Sequence, residues 1–190
     1  MMLDEVVTKA PITALVYETG DPQPGPLLAA IAHAVAARGG TPAGVIEHLN
    51  DDADDGPAPH RCDVRLEVLG MQTSLALSEN RGRGARGCRL DADALMRAVQ
   101  LTQAALEGGA DILLVNKFGK MEAEGGGFRD AIGEAVARGV PVLIGVPARN
   151  LDAFRAFAGG LAVEMATGSM RIDSGTDRVP VAFAPQSTAS

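Results

Sequence analysis

Ile12-Thr13-Ala14-Leu15-Val16-Tyr17 is a short apolar run rich in strand formers, and it stops at the turn residues Thr19-Gly20-Asp21-Pro22. A buried strand is predicted there. From Pro26 the apolar residues Leu27, Leu28, Ile31, Ala32 and Val35 recur at helical spacing, Pro26 suits a first helical position, and Gly39-Gly40 supplies the stop. Ala43 to His48 reads as a second strand, followed by the acidic stretch Asn50-Asp51-Asp52-Ala53-Asp54-Asp55-Gly56-Pro57, a surface loop. Val64, Leu66 and Val68 alternate with Arg65 and Glu67, and Thr73 to Leu77 resumes an extended pattern after Gly70, which predicts an antiparallel hairpin.

Farther along, Leu95, Val99, Thr102 and Leu106 share one face of a helix over 92–107, with Asp91 as its N-cap and Gly108-Gly109 as its exit. Ile112-Leu113-Leu114-Val115 is a continuous apolar strand, Phe128 to Arg138 a helix, Val140 to Val146 another buried strand, and Leu151 to Phe157 a short helix before Gly159-Gly160. After Thr167 the pattern is mixed; Val179 to Phe183 is expected as an edge strand and 185–190 as a frayed end. Strands alternating with helices predict an α/β layered fold with a mainly parallel central sheet and one antiparallel hairpin. There is no internal repeat, and 190 residues suit a single domain, with its core over about 10–165 and a C-terminal extension over 166–190.

Composition narrows the function. Only 3% of residues are aromatic, so the core is built from aliphatic side chains and Met, and stacking platforms for single-stranded nucleic acid are missing. The formal charge of −7 has the wrong sign for nucleic acid or an anionic membrane surface. Cys62 and Cys88 are too few for a secreted disulfide framework, and the start lacks a basic segment followed by a long apolar one, which predicts a cytoplasmic location. No apolar stretch reaches the ~20 residues of a membrane span.

In open α/β sheets ligands sit beyond the carboxyl ends of strands, so the loop after the first strand is the first place to look. It reads Gly20-Asp21-Pro22-Gln23-Pro24-Gly25-Pro26-Leu27. Its glycines have the spacing of the phosphate-binding loop G-x-x-x-x-G-K-[ST] between a strand and a helix. However, Pro26 stands where a lysine would reach the phosphates, and Leu27 where a hydroxyl would hold Mg²⁺. Proline also removes a backbone N–H from the anion nest, and Asp21 adds negative charge at the mouth.

A second segment carries a resemblance. Asp111-Ile112-Leu113-Leu114-Val115-Asn116-Lys117-Phe118-Gly119-Lys120-Met121-Glu122, with Phe128 downstream, is similar to the Walker B region of THEP-type nucleoside triphosphatases, where the apolar strand ends in Asp-Glu-Ile-Gly-Lys-Met-Glu. Asn116 then replaces the Mg²⁺-associated Asp, and Lys117 the Glu that orients the attacking water. Residues 115–124 with Gly125, Phe128, Arg129 and Asp130, then Gly145-Val146-Pro147, Asn150-Leu151 and Gly87-Cys88-Arg89-Leu90-Asp91, resemble a bacterial family of uncharacterised P-loop NTPase-like domains often encoded near molybdate-uptake genes. This resemblance spans about 10–165 and implies a three-layer P-loop NTPase-like fold.

In related folds the strand ending at Val115 lies beside the first strand. That neighbourhood would bring the Lys117 ammonium into the phosphate crevice as a substitute for the missing loop lysine, the alternative being a strand-end lysine that snorkels to solvent. Arg83, Arg86 and Arg89, with Arg81, form a basic Gly-rich stretch suited to phosphate or other tetrahedral oxyanions, or paired with nearby carboxylates. Arg149 and Asn150 follow a strand end, as an anion clamp or, for Asn150, as a helix N-cap. Glu122 and Glu124 offer general-base or metal-binding groups or, on a Gly-bounded loop, plain solvated carboxylates; the catalytic candidates are Lys117 and Glu122. The phosphate-site candidates are Gly20, Asp21, Gln23, Gly25, Asn116, Lys117, Arg83, Arg86, Arg89, Arg149 and Asn150. His48, His60 and Cys62 include a His-x-Cys pair, but no CxxC or HExxH pattern accompanies it and no metal site is assigned.

The first functional reading is a degenerate P-loop protein that binds a nucleotide, with Mg²⁺ if at all, or a small oxyanion, as a molybdate-related accessory or sensor without ordinary hydrolysis. The second is an active nucleoside triphosphatase that uses Lys117 and the Arg81–Arg89 stretch as replacement cations. The third is an interaction module for molybdenum uptake or cofactor assembly. All three leave a homo-oligomer open.

Overall fold

The apolar run Ile12–Tyr17 forms strand β1, buried at every residue except Val16, in a computed structural model that describes residues 10–49, 64–71, 73–79 and 89–167. Helix α1 follows over Pro24–Ala37 and strand β2 over Pro42–Leu49. The hairpin strands are β3, Val64–Leu69, and β4, Thr73–Ala76; a short separate ladder joins β5, Ser78–Glu79, to β6, Arg89–Leu90. Then come α2 (Ala92–Glu107), β7 (Ile112–Val115), α3 (Lys120–Ala123), α4 (Arg129–Ala137), β8 (Val142–Pro147), α5 (Leu151–Ala158) and β9 (Ala162–Ala166). The expected edge strand over 179–183 and the acidic loop over 50–57 lie outside the described residues.

The main sheet has seven strands in the order β4-β3-β2-β7-β8-β1-β9. From β2 to β9 all pairs are parallel, whereas β3 and β4 add antiparallel ladders at the β2 edge. Alternation along each strand sends its apolar side chains to two faces. Leu15, Ile46, Ile112, Leu114 and Leu143 meet Leu28, Ile31 and Val35 of α1 on one face. Ala14, Val45, Leu113, Ile144 and Val146 pack on the other, against residues of α2, α4 and α5 such as Leu106, Ile132 and Phe154. The fold is therefore the three-layer, P-loop NTPase-like arrangement with a mainly parallel sheet.

Local signals that need no distant partner are reproduced closely. The Asp91 carboxylate accepts the Asp93 and Ala94 N–H groups at 3.0 Å, capping α2 as its sequence predicts. Signals that depend on neighbours are not. Helix α1 starts at Pro24 rather than Pro26, and the edge strand β9 was not expected. β9 escapes notice because edge strands alternate weakly; it is held by parallel pairing to β1 and by a bidentate Arg155–Glu164 contact, both bonds 2.7 Å, to α5. The expectation that β7 lies beside β1 is corrected, since β8 separates the two strands.

Candidate functional site

The carboxyl ends of β1, β8, β7 and β2 and the start of α1 enclose a crevice of about 1220 Å³. Gly20, Gln23 and Gly25 from the first loop line it together with Asn116, Lys117 and Arg149, so five expected site residues besides Arg149 meet in one place. Asp21 instead closes its own turn. Its carboxylate accepts the Glu18 N–H at 2.7 Å and its N–H donates to the Glu18 carbonyl at 3.2 Å, around Gly20 at φ +100°. A carboxylate thus already takes one of the loop's backbone donors. Because α1 begins at Pro24, both Pro24 and Pro26 fall in its first turn, and neither has the N–H that a helix end would offer an anion.

The centre of the crevice is a charge cluster that the sequence analysis missed. Glu47, near the end of β2, receives the Asn116 amide N–H at 3.0 Å and the Lys117 ammonium at 2.9 Å on the same oxygen, Oε2. The Asn116 Oδ1 in turn accepts the Glu47 backbone N–H at 3.2 Å, tying β2 to the end of β7. Gly25 allows this close approach: a Cβ there would stand 3.2 Å from the Glu47 carbonyl and 3.3 Å from Asn116 Oδ1. Lys117, two strands away from β1, is therefore already neutralised by Glu47. Arg149, exposed on the turn after β8, has no hydrogen bond or ion pair among the described residues. Among the described residues lining the crevice, it is the arginine or lysine left without a carboxylate partner.

Tyr17, the sole tyrosine, also lines the crevice. Burial, and secondarily the Glu47 carboxylate, push its phenol above the ordinary value, partly offset by the Arg149 guanidinium. The phenol stays protonated and can donate. Because the folded chain holds this proton more tightly than the unfolded one, the associated stability is present below the unfolded value of about 10 and is lost as pH rises through the folded value. Tyrosinate absorbance, free of tryptophan, is expected to rise at higher pH in the folded chain than in denaturant. Replacing Arg149 with alanine should move it higher still; an unmoved titration would place Arg149 away from Tyr17.

Other candidates have different surroundings. Glu122 is buried at 4% exposure, and its carboxylate accepts the Gly119 N–H at 2.8 Å and the Phe128 N–H at 3.1 Å, clamping both ends of the α3 loop. Gly127, at φ +61°, leaves room where a Cβ would overlap that carboxylate. The alternative of a solvated Glu122 is thereby corrected, whereas Glu124 is exposed and its carboxylate pairs with the Lys120 ammonium at 3.6 Å. Asn150 does not cap α5 with its side chain; its amide donates to the Phe118 carbonyl at 2.8 Å. Phe118 also gives its N–H to Gly145 at 2.7 Å and packs on Phe154 and Phe157, so the Asn116–Gly119 exit is pinned from below. His48 pairs with Glu67 at 2.7 Å. Arg83, Arg86, His60 and Cys62 lie outside the described residues, as does the Arg89 side chain.

Tyr17 and Glu47 had a usable signal: each is a polar group near the carboxyl end of an otherwise apolar strand. The donor set for a protein-held Mg²⁺ does not fit. Leu27 has no hydroxyl, Asn116 is neutral and engaged with Glu47, and among the described residues no three His, Cys, Asp or Glu side chains converge.

A family model described as a protein of unknown function, DUF2478, matches residues 12–174. The chain belongs to this family. The matched segment runs from β1 past β9 and so contains every wall of the crevice. Over 102 residues the chain is 35% identical to the molybdenum import ATP-binding protein ModC 2 of Bradyrhizobium diazoefficiens, covering 53% of this chain and 11% of that relative. The chain thus spans about a tenth of the curated relative's length. No solved structure matches. Among the described residues no helix is long and apolar enough to cross a membrane.

Proposed function

We propose that this chain binds a small anionic ligand, a nucleotide or an oxyanion, in the crevice at the carboxyl edge of its sheet, as a degenerate P-loop protein. The observation that carries the reading is Arg149, a guanidinium without an ion-pair partner among the described residues, on the same crevice as the Gly20–Gly25 loop, the Tyr17 hydroxyl and Lys117. Ordinary triphosphate hydrolysis is not part of the proposal. The loop lysine and Mg²⁺ hydroxyl are replaced, two prolines strip donors from the first turn of α1, and Asn116 is engaged with Glu47, which leaves little to neutralise developing charge. Any Mg²⁺ would arrive on the nucleotide's own phosphates. The name of the ModC 2 relative supports a role beside molybdenum import, as a one-domain accessory or sensor in the cytoplasm. It equally favours a second reading, an active nucleoside triphosphatase, in which steady phosphate release would vanish in a Lys117→Ala variant.

A thermal-shift panel of ATP, GTP and ADP with and without Mg²⁺, and of molybdate, tungstate, sulfate and phosphate, tests the proposal. A ligand at ~100 times its Kd adds about 2.7 kcal/mol, and ~2–4 °C per kcal/mol makes this plain. Arg149→Ala is expected to weaken the responding anion by about 10- to 100-fold, the value of a charge-assisted hydrogen bond. A flat panel, or full affinity without Arg149, would refute the reading.

A further inference from the structure

A second cavity, of about 340 Å³, adjoins the crevice and shares Glu47, Asn116 and Lys117 with it. Its walls are otherwise mostly apolar: Val45, Leu66, Leu77, Leu95, Val115 and Phe128. Val45 and Val115 belong to the sheet face that packs on α2, opposite the face covered by α1. The Glu47–Lys117 pair therefore stands at the sheet edge as a partition, with a polar crevice on one side and an apolar cavity on the other. Such a volume lies within the range of small-molecule sites, which combine apolar walls with a few placed polar groups. Glu47 supplies one of these: Oε2 is occupied by Asn116 and Lys117, while Oε1 accepts no hydrogen bond among the described residues.

We propose that this cavity receives the heteroaromatic ring of the ligand whose anionic group is held in the crevice, so that the site selects phosphate esters of a planar, N–H-bearing ring over free oxyanions. The inference rests on the anion-binding reading and narrows it. Ring burial against Leu66, Leu95 and Phe128 adds apolar contact that a bare anion cannot make. Glu47 Oε1 is placed to accept a ring N–H, while Oε2 keeps its bonds to Asn116 and Lys117.

Pyrophosphate, ADP and GDP are the probes, since they share the diphosphate group and differ in the ring. Calorimetric titration of the full chain is expected to show at least one of the two nucleotides binding ten-fold or more tighter than pyrophosphate, with a more negative heat-capacity change from apolar burial. Leu95→Phe, which fills the half-buried end of the cavity, should erase that advantage while pyrophosphate affinity stays within two-fold. The retained pyrophosphate binding certifies the fold of the variant, and the wild-type heat-capacity comparison stands independently of it. Equal affinities for all three probes, or a nucleotide advantage that survives Leu95→Phe, would overturn the inference and leave the anion site standing. Binding of none of the three would overturn this inference, while the anion reading would still stand or fall with molybdate, tungstate, sulfate and phosphate in the thermal-shift panel.

Discussion

Glu122→Ala is expected to lower the melting temperature by roughly 5–15 °C while leaving anion affinity, measured well below the melt, unchanged. The buried carboxylate satisfies the Gly119 and Phe128 N–H groups, which have no other partner in that loop. Leaving a buried donor unsatisfied costs about 1–3 kcal/mol, so the buried Phe128 donor and the half-buried Gly119 donor, the second costing less, together cost about 2–5 kcal/mol, and a chain of this size loses ~2–4 °C per kcal/mol. Glu122→Gln should fall between, because an amide offers one acceptor oxygen where the carboxylate uses two. Thermal denaturation of both variants checks the order. A melt unchanged in the alanine variant, or a selective loss of anion affinity, would return Glu122 to the functional residues and refute a clamping role.

Gly145→Ala is expected to damage both stability and ligand binding. Gly145 lies in the middle of β8, where a Cβ would overlap the Asn116 carbonyl and stand 2.6 Å from the Pro24 ring. Neither neighbour yields easily, one being backbone and the other a rigid ring, so the cost is at the upper end of overpacking, about 3 kcal/mol. The strain also displaces Asn116 and Pro24, which carry the Glu47 network and the start of α1, so anion affinity should fall along with the melting temperature. The contrasting substitution is Gly133→Ala. Gly133 sits exposed within α4 with nothing within 4 Å of a Cβ, and alanine there should stabilise by about 0.5–1 kcal/mol. Paired denaturation curves test both signs, and a tolerated alanine at 145 would show that β7 and α1 are not held as closely as described.

The comparison of these glycines shows how differently equivalent sequence signals can resolve. The local pattern puts Gly133 in a helix and Gly145 in a buried strand, but the cost of a Cβ at 145 comes from the Asn116 carbonyl and the α1 proline that fold against it. Lys117 and Arg149 repeat the lesson. Both were legible as cations at strand ends. Yet Lys117 was expected beside the first loop, and only the insertion of β8 between β7 and β1, with Glu47 brought across from β2, shows that its charge is already matched. Glu122 was read as a general base or as a solvated acid because its Gly-rich surroundings suggest an open loop. Its burial follows from the packing of Phe128 and the turn at Gly127.

What the amino-acid sequence determined by itself is what short-range physics determines: the apolar runs that become β1, β7 and β8, the helical spacing of α1 and α2, the Asp91 cap, and the alternation of strands with helices that commits the chain to a layered α/β fold. It also placed the glycines that space the first loop and the prolines that take N–H groups out of the first turn of α1. Tertiary structure alone decided the strand order, the extra edge strand β9, the pairing of Glu47 with Asn116 and Lys117, and the place of Arg149 on the crevice beside Tyr17. The reason is that periodicity reports whether a residue is buried, whereas strand order and charge pairing depend on segments far apart in the chain, as Lys117 and Glu47 are at 70 residues and the paired strands β1 and β9 at still more, whose meeting is fixed by packing across the whole sheet.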